Sequence, residues 1–517
     1  MPRGVGSQLR LPAEHARRGA FFAAALRASA FVWFAACPLS IASVAATSSA
    51  ARPQEELERT IERVERGLVP RVRALGRDDS PRELSQRMRE LAVPGLGVAV
   101  IEDFRVSWTR SYGVREAGGS NPVTAETLFQ AASLSKPVVA AAAMRLAAAG
   151  KLDLDQSVNE RLVSWKIPDN EFTRGRAVLL RHLLSHSAGC TNGSVGSYER
   201  TAELPTLIAC LNGTPPSRPR PVVVDYEPGS RWRYSGGGYS VLQQLLIDVS
   251  GKPFVEVMRE QVLEPLGMRH STFAQPLPEA LAARAAAGHD DAGKPLAGKW
   301  QVLPEAAAGG LWSTPPDLAR FLNAWMQSHA ARSEDWLEPS AARAMATRQA
   351  GSWGLGFELD GEGETLCVRH GGSNAGYRSY LVAFPARGQG AVVMTNGDEG
   401  SELAREIVRA LARENAWPDD QRVVRELAPE PPVLDESWVG DFEYAPGWVL
   451  HVSLKEGKLH LGLNEAPATE LLAESGSRFF TLANTDVEFA RDGEGRVVEL
   501  RVTRDGESAP TSARRLP

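Results

Sequence analysis

The 517-residue chain predicts an α+β protein: an antiparallel sheet flanked by helices, an all-helical subdomain beside it, and a small all-β domain at the C-terminus. Three observations predict it. Strand patterns occur far apart, at 96–101 and 106–109 and again at 366–370, 377–384 and 391–394. Residues from 130 to 345 carry mainly helical patterns, including 241–249 and 316–326. Beyond a proline-rich stretch at 427–435, alternating runs are broken by the turn pairs Glu456-Gly457 and Asp492-Gly493. Strands gathered from distant segments into one sheet leave a cleft against the helical block, where a site belongs.

The first element is a leader. Arg3, Arg10, Arg17, Arg18 and Arg27 precede an uncharged stretch at 28–46 that holds Phe31, Val32, Trp33, Phe34 and Ile41. This reads as a signal peptide over 1–46, with Val44-Ala45-Ala46 as the cleavage site. An uncleaved membrane anchor and a lipid anchor at Cys37 are the alternatives, and Arg17-Arg18 is a fragment of a twin-arginine signal. Each implies export, to the periplasm or beyond the cell.

Helices follow at 53–69 and 80–91, the second with Ser80 as N-cap, Pro81 at its first position and Glu83 closing a capping box. Strands 96–101 and 106–109 form a hairpin around Asp103-Phe104-Arg105. A nearly uncharged helix runs from Pro137 to Gly150, where glycine supplies the stop. The last helix of the block covers 401–414. The expected domains are a main unit of sheet and helices at 47–426, a linker at 427–436 and a β-rich unit at 437–517. A net charge of −5 gives no electrostatic reason to expect nucleic acid.

Chemistry enters at Ser133-Leu134-Ser135-Lys136. Residues three apart share a helix face, so the Lys136 amine can reach the Ser133 oxygen. A serine hydroxyl needs a base to become a nucleophile, and lysine is a base only if burial or the helix dipole lowers its pKa. The apolar run after Lys136 is where desolvation can act. Two further blocks complete a set: Tyr234-Ser235-Gly236 before a helix, and His370-Gly371-Gly372-Ser373 at the end of a strand.

In order and spacing these blocks resemble the serine β-lactamase and penicillin-binding protein superfamily, nearest its class C β-lactamase-like hydrolases, with esterases and D-aminopeptidases among them. Leu183-Leu184-Ser185-His186-Ser187-Ala188-Gly189 and Gly309-Gly310-Leu311-Trp312-Ser313-Thr314 support the resemblance, which covers 90–425. It implies a β-lactamase/transpeptidase-like fold and a serine hydrolase needing no metal and no cofactor. Ser133 would be acylated, and Lys136 would take its proton or set its electrostatics. Tyr234 would be a second acid–base group with its phenol pKa lowered by cationic neighbours. The N–H groups of Ser133 and Ser373 would form the oxyanion hole. His370, Gly371, Gly372, Ser373 and Gly236 would contact substrate, the two strand glycines letting its backbone lie close.

Two departures shape the substrate expectation. Gly236 stands where the family usually has asparagine, and His370 where most β-lactamases carry lysine. A mostly neutral histidine cannot hold a carboxylate as lysine does. The reading is an exported serine hydrolase acting through a Ser133 acyl-enzyme. Its substrate would be an ester, amide or peptide, D-amino-acid-containing or cell-wall-derived material among the candidates. The alternative is a non-catalytic cell-envelope binding protein on the same fold.

Other residues receive plainer readings. Cys190 and Cys210 flank a loop-like segment and could staple it by a disulfide, with Cys367 left as a buried thiol. His182 and His186 lie four apart, as zinc ligands on a helix can, but without a glutamate between them or a third ligand they read as structural. Trp312, Trp353 and Tyr377 are candidates for cleft lining or core.

Overall fold

The computed structural model describes residues 45–418, 422–445, 448–463, 468–504 and 510–516. The leader expected over 1–46 lies outside them up to residue 44. The chain divides into Met1–Glu56 and Leu57–Pro517. Helix Ala45–Glu65 is the first described element, and among the described residues no helix is long and apolar enough to cross a membrane.

Leu57–Pro517 is built on a six-stranded antiparallel sheet. Its order is Arg105–Gly113, Gly95–Glu102, Gln389–Thr395, Tyr377–Phe384, Cys367–Asn374, Glu358–Asp360. The hairpin joining the first two turns at Asp103 and Phe104, with φ of 48° and 60°, the paired positive values of a two-residue turn that follows strand twist. Both faces of the sheet are covered, which is why 96–101 is continuously apolar rather than alternating. Leu96, Val98 and Val100 pack with Leu403, Ile407 and Ala410 of helix Gly400–Glu414 and with Ile61 and Val64. Ala99 and Ile101 face the larger core shared with the helical block.

The expected cap at Ser80 does not form. Its N–H bonds Asp78 Oδ1 at 2.9 Å, a local turn, and Arg82 bridges to Leu68 as extended chain. The helix therefore starts later, at Leu84–Glu90, with no side-chain cap. Its Arg87 donates to both oxygens of the fully buried Glu406 at 2.7 and 2.9 Å, tying it to Gly400–Glu414.

The C-terminal region is one nine-stranded antiparallel sheet from Gly440–Ala445 to Thr511–Arg515. Its two edge strands, Thr469–Glu470 and Leu472–Ala473, are separated only by Leu471, so the sheet curls into a near-barrel. Trp438, Phe442, Phe479 and Phe489 fill its interior. The chain entering it is fastened before it arrives. Val423–Arg425 pairs in parallel with Val72–Ala74, and Ala428 N–H bonds Ala473 O at 2.9 Å. Val72, Ala74, Leu472 and Phe480 form a small core there, flanked by Arg77–Glu470 at 3.0 Å and Arg425–Glu474 at 2.6 Å.

Candidate active site

Ser133 lies on a 3-10 turn, Ala132–Leu134, that leads directly into helix Ser135–Ala148. The preceding Ala132 has φ of 50°, a strained conformation held in place by its neighbours. Ser135 supplies part of that hold: its hydroxyl donates to Ala132 O at 2.6 Å and accepts Leu311 N–H at 3.0 Å. Ala131 supplies the rest, its N–H on Leu311 O at 2.8 Å and its carbonyl accepting Ser379 Oγ at 2.7 Å.

Lys136 Nζ lies 3.0 Å from Ser133 Oγ and bonds Ala308 O from Ala306–Gly309. The side chain is 2% exposed, and this burial lowers its pKa from 10.5 to about 7. An amine with one hydrogen on Ala308 O keeps a lone pair for the serine proton. Tyr234 lines the cleft beside the same serine, and its ring centroid lies 4.9 Å from Lys136 Nζ. The expectation of a lowered phenol pKa is corrected here. Burial raises it above the ordinary value of 10.0, because neither Lys136 nor His370 supplies a cation to oppose desolvation. Tyr234 is a neutral phenol, a proton donor at rest.

His370 is not in the cleft. It is 3% exposed and packs behind Tyr234, with ring centroids 6.3 Å apart, and 5.2 Å from Trp353. Its Nδ1 donates to Gly371 O at 2.7 Å, and burial with the neighbouring Lys136 pushes its pKa to about 3. The residues after it do line the cleft, a space of about 500 Å³ that also takes in Ser133, Lys136, Tyr234 and Gly236. The two strand glycines differ in their work. A Cβ on Gly371 would meet open space, whereas one on Gly372 would stand 2.1 Å from Ser379 Oγ and 2.5 Å from Ala131 O. Gly372 thus lets the strand press against the nucleophile turn, and only Gly371 leaves room for substrate. At Gly236, a Cβ would meet Val195 Cγ1 at 2.9 Å and Gly193 O at 3.2 Å. The loop around 193–195 occupies the space that a side chain at 236 would take.

Several residues near the site carried no sequence signal. Glu305, fully buried, accepts Gly196 N–H at 2.9 Å and Ser240 Oγ at 2.7 Å, and burial raises its carboxyl pKa. It joins the cleft wall at 193–197 to helix Gly236–Ser250, whose N-cap Ser235 follows Tyr234. Gln130 and Asn374 line the cleft as a bonded pair, and Arg405 brings a guanidinium to its wall. His186, in a stretch already noted for its resemblance, stacks on Tyr234 at 4.3 Å while its Nδ1 accepts Ser235 N–H at 3.1 Å. His182 instead accepts Leu179 N–H at 3.2 Å, so the two histidines do separate structural jobs. Trp312 and Tyr377 are core, and Trp353 packs among His186, Tyr234 and His370. The staple of Cys190 to Cys210 is not made. Both are buried thiols outside any disulfide, their pKa pushed up to about 12 by burial, and Cys367 is likewise buried and in no disulfide.

A serine held between a lysine amine of lowered pKa and a phenol, at the mouth of a sheet-against-helices cleft, is the constellation of an active-site serine hydrolase. A model of the family "Beta-lactamase" matches residues 82–415, and the chain belongs to that family. Penicillin-binding protein 4 of Amycolatopsis lactamdurans is 28% identical over 345 residues, covering 63% of this chain and 86% of that protein. Esterase EstB of Burkholderia gladioli is 28% identical over 211 residues, covering 38% and 51%. Among solved structures, the octameric penicillin-binding protein homologue from Pyrococcus abyssi has a TM-score of 0.56 at 23% identity, covering 83% of this chain and 98% of that one, a likeness of fold.

Proposed function

We propose that this protein is an exported serine hydrolase that forms an acyl-enzyme on Ser133 from an ester, amide or peptide. One observation carries the reading: Lys136 Nζ, at a pKa of about 7, stands 3.0 Å from Ser133 Oγ, with Tyr234 beside the pair in the same cleft. The free amine takes the serine proton as Oγ attacks the carbonyl carbon. The backbone N–H groups of Ser133 and Ser373 receive the developing oxyanion, and losing one such donor costs about 10²–10³ in rate. The Tyr234 phenol hands a proton to the leaving group and is restored from the Lys136 ammonium. Water then repeats the sequence on the acyl-enzyme, leaving acid product and free Ser133.

The substrate carries no required carboxylate beside the scissile bond, since His370 is neutral and turned away from the cleft. Among the described residues lining the cleft, the permanent cation is Arg405, which suits an acidic group held farther out. Relatives named for penicillin binding, β-lactam hydrolysis and ester hydrolysis leave the choice to the cleft itself. Export rests on the arginine-then-apolar character of the N-terminal stretch. A fluorophosphonate probe tests the reading: it labels the wild type and not Ser133→Ala. No labelling of folded wild type sinks it, and efficient nitrocefin turnover sinks the substrate part.

A further inference from the structure

Two side-chain amides in the cleft fix each other's orientation and leave one acceptor over. Gln130, 2% exposed, donates through Nε2 to Gln301 O at 2.7 Å, so its Oε1 must point the other way. That oxygen accepts Asn374 Nδ2 at 2.7 Å, and the same Nδ2 donates to Gly309 O at 3.1 Å. Both hydrogens of the Asn374 amide are therefore committed, and Oδ1 accepts no hydrogen bond among the described residues. The two Nδ2 bonds hold the amide in this orientation, and its backbone is held in turn by Arg378, which donates to Asn374 O at 2.7 Å, and by pairing with Tyr377 across the strand end. Gly309 keeps the approach to it clear, since a Cβ there would stand 3.4 Å from Oδ1. Asn374 and Gly309 both line the cleft, and Asn374 directly follows Ser373 of the oxyanion hole.

We infer that Asn374 is a specificity-determining residue whose Oδ1 accepts an N–H of the substrate next to the scissile carbonyl, selecting acylamino and peptide-like acyl groups over acyloxy or plain alkyl ones. The inference rests on the proposed acyl transfer at Ser133. An N–H replaces the water that Oδ1 loses when substrate enters. An ether-type oxygen at that place brings a lone pair against a lone pair, which a site built to accept a donor rejects strongly.

The experiment compares kcat/KM of the full chain for two p-nitrophenyl esters, N-acetylalanine and its acyloxy counterpart O-acetyl lactate, in both configurations and corrected for spontaneous hydrolysis. The wild type should favour the N–H substrate about 10- to 100-fold, the range of one satisfied against one unsatisfied acceptor. Asn374→Ala should collapse that ratio to within about threefold. Gly309→Ala, which sets a methyl against Oδ1 and leaves Asn374 in place, should lower it as well and serves if the first variant does not fold. A ratio near one in the wild type, or a ratio kept in both labelled variants, overturns the inference while leaving Ser133 chemistry intact. Absence of fluorophosphonate labelling in the wild type removes both.

Discussion

Lys136 Nζ stands 3.0 Å from Ser133 Oγ with its pKa brought from 10.5 to about 7 by burial alone. Its unprotonated fraction rises through neutrality, so kcat/KM for a neutral ester should climb with pH to a plateau above an inflection near 7, and a flat profile from pH 5 to 9 would sink Lys136 as the base. The same shift has a stability consequence. Between about 7 and 10.5 the unfolded chain binds more protons at Lys136 than the folded one, so stability rises with pH across that window. Lys136→Met removes the burial cost and should raise unfolding stability at pH 8 by roughly 2–4 kcal/mol. Its turnover should fall about 10²–10⁴-fold. Thermal melts beside steady-state rates check both signs.

Tyr234 is the donor and Lys136 the base, which predicts a dependence on leaving group. A p-nitrophenolate leaves without a proton, whereas an amine must receive one. Tyr234→Phe should therefore slow an anilide or amide about 10²–10³-fold and the matching p-nitrophenyl ester far less. Equal losses on the two substrates would assign Tyr234 a positioning role.

The blocks Ser133-x-x-Lys136, Tyr234 and 370–373 were legible because acyl transfer needs these groups at fixed spacings, and spacing is what a sequence displays. The sheet was legible for a related reason: runs such as 96–101 and 377–384 are apolar enough to require cover on two faces. What escaped depends on neighbours from other segments. The phenol of Tyr234 moved upward because the side chain is itself buried, with a neutral His370 offering no cation to oppose it, and no local pattern reveals that burial. Ser80 lost its cap to Asp78, a competitor two residues off. Cys190 and Cys210 remain thiols because flanking a loop does not bring two side chains together. Glu305, between Pro304 and Ala306, has no periodic or motif signature at all.

Gly371 and Gly372 are adjacent and make opposite predictions. A methyl on Gly372 would fall 2.1 Å from Ser379 Oγ, against a hydroxyl already fixed on Ala131 O. Gly372→Ala should cost about 1–3 kcal/mol of stability. By shifting the nucleophile turn it should also cost on the order of 10²-fold in kcat. Gly371→Ala meets nothing within 4 Å and should leave stability unchanged, raising KM only for substrates that press on the strand. Denaturant unfolding and kinetics on the pair separate these outcomes, and equal behaviour of the two variants would contradict the packing described.

Glu305 links the cleft wall to both catalytic flanks. Its oxygens hold Gly196 N–H and Ser240 Oγ, and three residues on, Ala308 O bonds the Lys136 amine. Removing the carboxylate orphans the buried Gly196 N–H, worth about 1–3 kcal/mol, and leaves Ser240 Oγ only its longer bond to Gly236 O at 3.3 Å, beside an unfilled space. Glu305→Ala should therefore destabilise the fold by about 2–5 kcal/mol and loosen residues 193–197, raising KM. A change in the pH inflection near 7 would show that the 305–309 segment also sets Lys136. Glu305→Gln keeps one acceptor but turns an NH₂ toward a second donor, so it should fall between wild type and alanine. A glutamine variant as stable and active as wild type would mean that the carboxylate only fills space, and that the wall at 193–197 is held by helix Gly236–Ser250 alone.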